Sequence, residues 1–123
     1  MDGELADLEV PATFRESVRP DDFSVEVIVV DGRTVVVVQG EVDVLTAALL
    51  WERVEETISS SDGALVLDLA GLRFVDSMGL GVMVRAHKRL NEADRRLILR
   101  SPSEQARKLF AVTGLYRVFE VEA

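Results

Sequence analysis

Leu72-Arg73-Phe74-Val75-Asp76-Ser77-Met78-Gly79-Leu80-Gly81 joins the end of a strand to the start of a helix, and the chain reads outward from it in both directions. Before it, Ala64 to Leu69 (ALVLDL) is an apolar run of strand length, followed by a turn expected at Ala70-Gly71. After it, a helix is expected from about Ser77 to Asn91. At about 100° per residue, Gly79, Val82, Met83, Ala86, Leu90 and Ala93 share the face that lies on the sheet. Arg96 to Arg100 (RLILR) reads as the next strand. Ser101-Pro102-Ser103-Glu104 then reads as a capping box with proline at the first helical position. That helix turns Ala106, Leu109 and Phe110 inward and stops at Gly114, and Tyr116 to Val121 reads as a last strand.

The same alternation holds upstream. Ala47, Leu50, Trp51, Val54 and Ile58 recur at spacings of three and four, the mark of a helix with one apolar stripe, ended by Ser59-Ser60-Ser61-Asp62-Gly63. Thr34 to Val38 is almost wholly valine, which fits a strand buried on both faces. Phe23, Val25, Val27 and Val29 alternate with Ser24 and Glu26, and Asp31-Gly32 between these runs is a strong hairpin signal. A β-hairpin followed by α-β-α-β-α-β predicts an α/β fold. Its sheet is mixed and mostly parallel, with about five strands opened by the hairpin and three main helices.

The 123 residues are 48% hydrophobic, enough for one domain with a core, read as 21–123. Residues 1–20 carry Asp2, Glu4, Asp7, Glu9 and Glu16 against Arg15 and Arg19, with Pro11 and Pro20 breaking any pattern. They read as an acidic, flexible N-terminal arm in which Leu5, Leu8 and Val10 could dock. The net charge of −8 argues against direct nucleic-acid binding and against an anionic membrane surface. With no cysteine and one histidine, disulfides, thiolate zinc sites, cysteine nucleophiles and multi-histidine cages are excluded. An Asp/Glu site for a hard ion stays open but is not signalled, so no metal and no cofactor is expected. The N-terminus lacks a secretory signal and no apolar stretch approaches the ~18–20 residues of a membrane span, so a cytoplasmic location is expected.

Asp76 and Ser77 stand where the first N–H groups of a helix need an acceptor, so a capping role is the simplest reading of either. The two glycines ask for more, since each costs a helix roughly 1 kcal/mol relative to alanine. Gly79 faces the sheet and is expected to permit close contact. Gly81 points to the polar side, in a row with Ser77, Val84 and Lys88, and core packing does not account for it; tolerance at a frayed helix end is the alternative. Nucleophilic catalysis by Ser77 lacks a base, because His87 lies about 15 Å along the helix axis. His87 is read as a solvated side chain. Phosphate on Ser77 would add about −1.5 to −2 charges at a helix N-terminus. The helix tolerates an anion there, whereas a partner surface without cations would not.

Gly40-Glu41-Val42-Asp43, the strand ending near Asp68, Phe74-Val75-Asp76-Ser77-Met78-Gly79-Leu80-Gly81, and the segment from Ser101-Pro102 through Leu109-Phe110 to Thr113-Gly114-Leu115 together resemble the STAS family of bacterial anti-sigma factor antagonists and sulfate-transporter domains. The resemblance spans about Phe23 to Val121. It implies a non-enzymatic protein that binds an anti-sigma factor with serine kinase activity and so releases a sigma factor. Phosphorylation of Ser77 would switch it off, and a phosphatase would restore it. It also implies a partner surface of Asp43, Asp76, Ser77, Met78, Leu80, Gly81 and Val84, with Asp43 and Asp76 equally readable as helix caps. The alternative within the family is a non-switching docking subunit of a larger assembly, such as a transporter complex. Trp51 reads as core packing rather than a ligand platform.

Overall fold

A computed structural model of the chain describes residues 23–123. The arm expected over 1–20 lies outside them. The elements run β1 (Phe23–Val30), β2 (Arg33–Val42), α1 (Val44–Ser59), β3 (Leu65–Val75), α2 (Ser77–Glu92), β4 (Leu97–Arg100), α3 (Glu104–Thr113) and β5 (Glu120–Glu122), with a 3-10 turn over Leu115–Arg117. Asp31 and Gly32 both take positive φ, 52° and 77°, the geometry a two-residue hairpin needs to match strand twist. The sheet order is β1-β2-β3-β4-β5, antiparallel at β1–β2 and parallel across the rest.

All three helices share one face of this sheet. Val36, Leu67 and Leu99, register partners across β2, β3 and β4, meet Leu50, Val54, Met83, Leu90 and Phe110 in the main core. The opposite face holds a smaller buried row, Val35, Val66 and Ile98. Ion pairs flank that row: Arg33–Glu122 at 3.3 Å, Arg100–Glu122 at 3.1 Å, Arg100–Asp68 at 3.9 Å, and Arg96–Glu120. Among the described residues, no helix is long and apolar enough to cross a membrane.

Three sequence expectations are corrected. The turn expected at Ala70-Gly71 is strand: β3 continues to Val75, with register shifts against β2 between Val37 and Gln39 and between Gly40 and Glu41. Each shift inserts one extra residue on the β3 side, a bulge that changes which side chains face inward. Leu69, Leu72 and Val75 therefore all reach the core at a spacing of three. The capping box at Ser101 does not form. Ser101 sits at φ 54° with its N–H on Glu122 O, and Ser103 caps α3 by accepting from Ala106 N–H at 3.1 Å. The chain completes the β4–β5 edge before the helix starts. The last strand is shorter than Tyr116–Val121, because the 3-10 turn folds back. Phe119 thereby packs on Phe110 at 5.4 Å and Tyr116 at 5.7 Å from the same ring.

Candidate functional site

The parallel strands β2 and β3 end side by side, with Val42 opposite Val75. Asp76 N–H donates to Val42 O at 3.3 Å, which extends the ladder by one step. The next residue of each strand caps a helix. Asp43 Oδ1 accepts from Leu45 and Thr46 N–H at 3.0 and 3.1 Å, while Thr46 Oγ1 accepts from Asp43 N–H at 2.9 Å, a reciprocal capping box. Asp76 Oδ1 accepts from Met78 and Gly79 N–H at 2.9 and 3.1 Å. Two helices thus start side by side at the ends of neighbouring parallel strands, each with a carboxylate on its first turn, where the helix dipole favours negative charge.

Ser77, the first residue of α2, is exposed. The surface at this end of the sheet is unusually apolar. Val44 is 68% exposed, Leu45 57%, Leu49 42%, Phe74 44% and Met78 48%. An exposed hydroxyl beside a capping carboxylate, with exposed apolar side chains at the starts of α1 and α2, has the make-up of a protein-contact surface. Among the described residues no group of His, Cys, Asp or Glu could hold a metal ion.

The sequence-predicted residues divide. Asp43, Asp76, Ser77 and Met78 come together as expected. A Cβ at Gly81 would meet nothing within 4 Å, so the open space predicted on that side of α2 is present. A Cβ at Gly79 would lie 2.5 Å from Val75 Cγ2 and 2.8 Å from Val42 Cγ1, the close helix–sheet approach that glycine permits. Leu80 is a correction: at 7% exposure it belongs to the main core and offers no side chain to a partner. Val84 is half-buried and packs against the same core, while Ala93, expected on the sheet-facing side, is exposed at the end of α2.

The buried stripe of α2 is wide because the helix is flanked on two sides. On one side Arg85 stacks 4.1 Å over the Trp51 ring and Arg89 pairs with Glu55 at 2.9 Å. On the other, the His87 ring meets the edge of Phe119 at 6.3 Å, so His87 is packed rather than fully solvated. Trp51 is half-buried against the core, as the packing reading expected, and carries Arg85 besides.

Sequence reasoning missed Val44, Leu45, Leu49 and Phe74. Their signal was present in part: Val44, Leu45, Ala48 and Leu49 lie off the stripe formed by Ala47, Leu50, Trp51, Val54 and Ile58, so the start of α1 is apolar on a second face.

A sequence profile of the STAS domain matches residues 24–123. The anti-sigma-B factor antagonist of Listeria monocytogenes is 35% identical over 85 residues, covering 69% of this chain and 75% of its own. The anti-sigma-B factor antagonist of Staphylococcus epidermidis is 33% identical over 100 residues, covering 81% and 93%. Among solved structures, an anti-sigma factor antagonist from Mycobacterium paratuberculosis superposes with a TM-score of 0.71 at 31% identity, over 84% of this chain and 87% of that one. A hairpin-opened mixed sheet carrying three helices on one face, matched along almost its whole length by the family profile, makes this chain a member of the STAS domain family.

Proposed function

We propose that the protein is a cytoplasmic anti-sigma factor antagonist that binds an anti-sigma factor with serine kinase activity and releases a sigma factor. Phosphorylation of Ser77 ends the contact and a phosphatase restores it. The observation that carries this reading is the exposed Ser77 hydroxyl at the N-terminus of α2, beside the Asp76 cap, with the exposed apolar residues Met78 on the same helix and Val44 and Leu45 at the start of α1. The antagonist relatives support the choice of partner.

The magnitude suffices. A thousandfold loss of affinity corresponds to about 4 kcal/mol. Leaving one charge unpaired in an interface costs about 2–5 kcal/mol. A phosphate at Ser77 adds its charge next to Asp76 and two residues beyond the end of β3, which lies beside the end of β2 that carries Asp43. The helix N-terminus accommodates that anion without unfolding, so the fold persists while the contact is lost.

The test is a pull-down from the native host with wild-type and Ser77→Glu protein as baits, followed by phosphorylation of wild type and Ser77→Ala by the recovered kinase with ATP. A small kinase-type anti-sigma factor held by wild type and lost with Ser77→Glu is the expected result, with Ser77→Ala taking up no phosphate. A transporter assembly held equally by both baits would instead make this a docking module with Ser77 serving the helix start alone.

A further inference from the structure

β4 ends at Arg100, opposite Asp68, so residues 69–75 of β3 have β2 on one side and no strand on the other among the described residues. At the far end of that stretch the side chain of Gln105, the second residue of α3, stands in for the missing strand. Its Nε2 donates to Val75 O at 2.8 Å and its Oε1 accepts from Val75 N–H at 3.1 Å. A carboxamide that makes both bonds reproduces the N–H and C=O exchange of a neighbouring strand. Val75 is the residue directly before Asp76, and on the β2 side Asp76 N–H is held by Val42 O at 3.3 Å.

We propose that Gln105 is a positioning residue for the Asp76–Ser77 junction: its amide pins the end of β3 from the α3 side, as Val42 does from the β2 side. The junction follows two bulges, where a strand is least constrained by its ladder. Without Gln105 the backbone at Val75 loses both partners, and the first turn of α2 loses its fixed origin. The Asp76 carboxylate then meets Met78 and Gly79 N–H less consistently, and Ser77 is presented over a range of positions. The consequence for partner binding rests on the reading of Ser77 given above; the positioning of the junction does not.

The experiment compares wild type with Gln105→Met, which keeps side-chain length without the amide, and with Gln105→Glu. Amide hydrogen exchange at Val75, Met78 and Gly79 is read by NMR, together with affinity for the anti-sigma factor recovered in the pull-down. At neutral pH Gln105→Met should exchange about tenfold faster at all three amides and Gln105→Glu at Met78 and Gly79, with slow-exchanging core amides such as Leu67 and Leu99 unchanged, and both should bind the partner about tenfold more weakly. Glutamate offers a decisive second readout. Ionised, it accepts from Val75 N–H but faces Val75 O without a donor; protonated, it is isosteric with the amide and makes both bonds. Protection in Gln105→Glu should therefore recover toward the wild-type value on acidification, while Gln105→Met stays unprotected at every pH. Unchanged exchange in Gln105→Met, or no recovery in Gln105→Glu, overturns the proposal. If exchange responds as expected but wild type recovers no anti-sigma factor, the functional reading falls and the positioning role of Gln105 stands.

Discussion

Gly79 and Gly81 stand two residues apart in α2 and are expected to respond to alanine with opposite sign. At Gly79 a Cβ would lie 2.5 Å from Val75 Cγ2, 2.8 Å from Val42 Cγ1 and 3.1 Å from Val42 Cβ. Val75 is 1% exposed and Val42 0%, and both are β-branched residues whose restricted χ1 leaves no room to swing aside. The helix itself must lift. Overpacking of this kind costs about 1–3 kcal/mol, against a gain of roughly 1 kcal/mol in helix propensity. With two stiff neighbours below 3 Å the upper half of that range applies, leaving a net loss of about 1–2 kcal/mol. For a domain of this size, that lowers Tm by roughly 5–15 °C. At Gly81 nothing lies within 4 Å, so propensity acts alone. The gain is at most about 1 kcal/mol, a rise in Tm of roughly 4–8 °C. Thermal and urea unfolding followed by circular dichroism measure both. Gly79→Ala as stable as wild type would refute the close approach of α2 to the sheet, and a destabilised Gly81→Ala would refute the open space beside Gly81.

Gly81→Arg should melt no lower than wild type, since arginine shares most of alanine's gain in helix propensity, and should lose partner binding; unfolding would assign Gly81 a packing role instead. Asp76→Ala removes the acceptor for Met78 and Gly79 N–H and should cost about 1 kcal/mol in urea unfolding, whereas Asp76→Asn should retain most of the cap. Acid should loosen β5 first. Glu120 is held below its ordinary carboxylate value of 4.5 by its hydrogen bond with Arg96, and Glu122 by hydrogen bonds with Arg100 and Arg33. A lowered folded value means stabilisation that is complete above the ordinary value and lost as pH falls through the lowered one. Exchange at Ser101 N–H, which donates to Glu122 O at 2.8 Å, should therefore accelerate as pH drops below 4.5, after correction for the intrinsic rate, ahead of the core strands. A Ser101 protection factor flat with pH would show that these pairs do not hold the strand. High salt should mimic acid in direction, since the pairs are surface-exposed and screened.

The local signals in the chain decide element type wherever one periodicity runs unbroken. Valines at β2, the Asp31-Gly32 turn, the three- and four-residue spacing in α1 and α2, and Gly114 at the end of α3 all act within a few residues, and each is legible without the fold. So is the α/β order, because strands alternating with helices leave a parallel sheet as the simplest closure. Asp76, Ser77 and the two glycines are legible as a candidate site for the same reason: capping chemistry and helix propensity are local. What only the tertiary structure decided is where neighbours override these rules. The bulges in β3 exist because β2 beside it sets the ladder, so Leu69, Leu72 and Val75 look aperiodic until both strands are in place. Leu80 is buried in the main core and His87 packs on Phe119, a residue far along the chain. The exposed apolar residues Val44 and Leu45 of α1 and Met78 of α2, and the grip of Gln105 on Val75, involve four elements around the ends of β2 and β3. No window of sequence spans that distance, and only the packed fold brings those residues together.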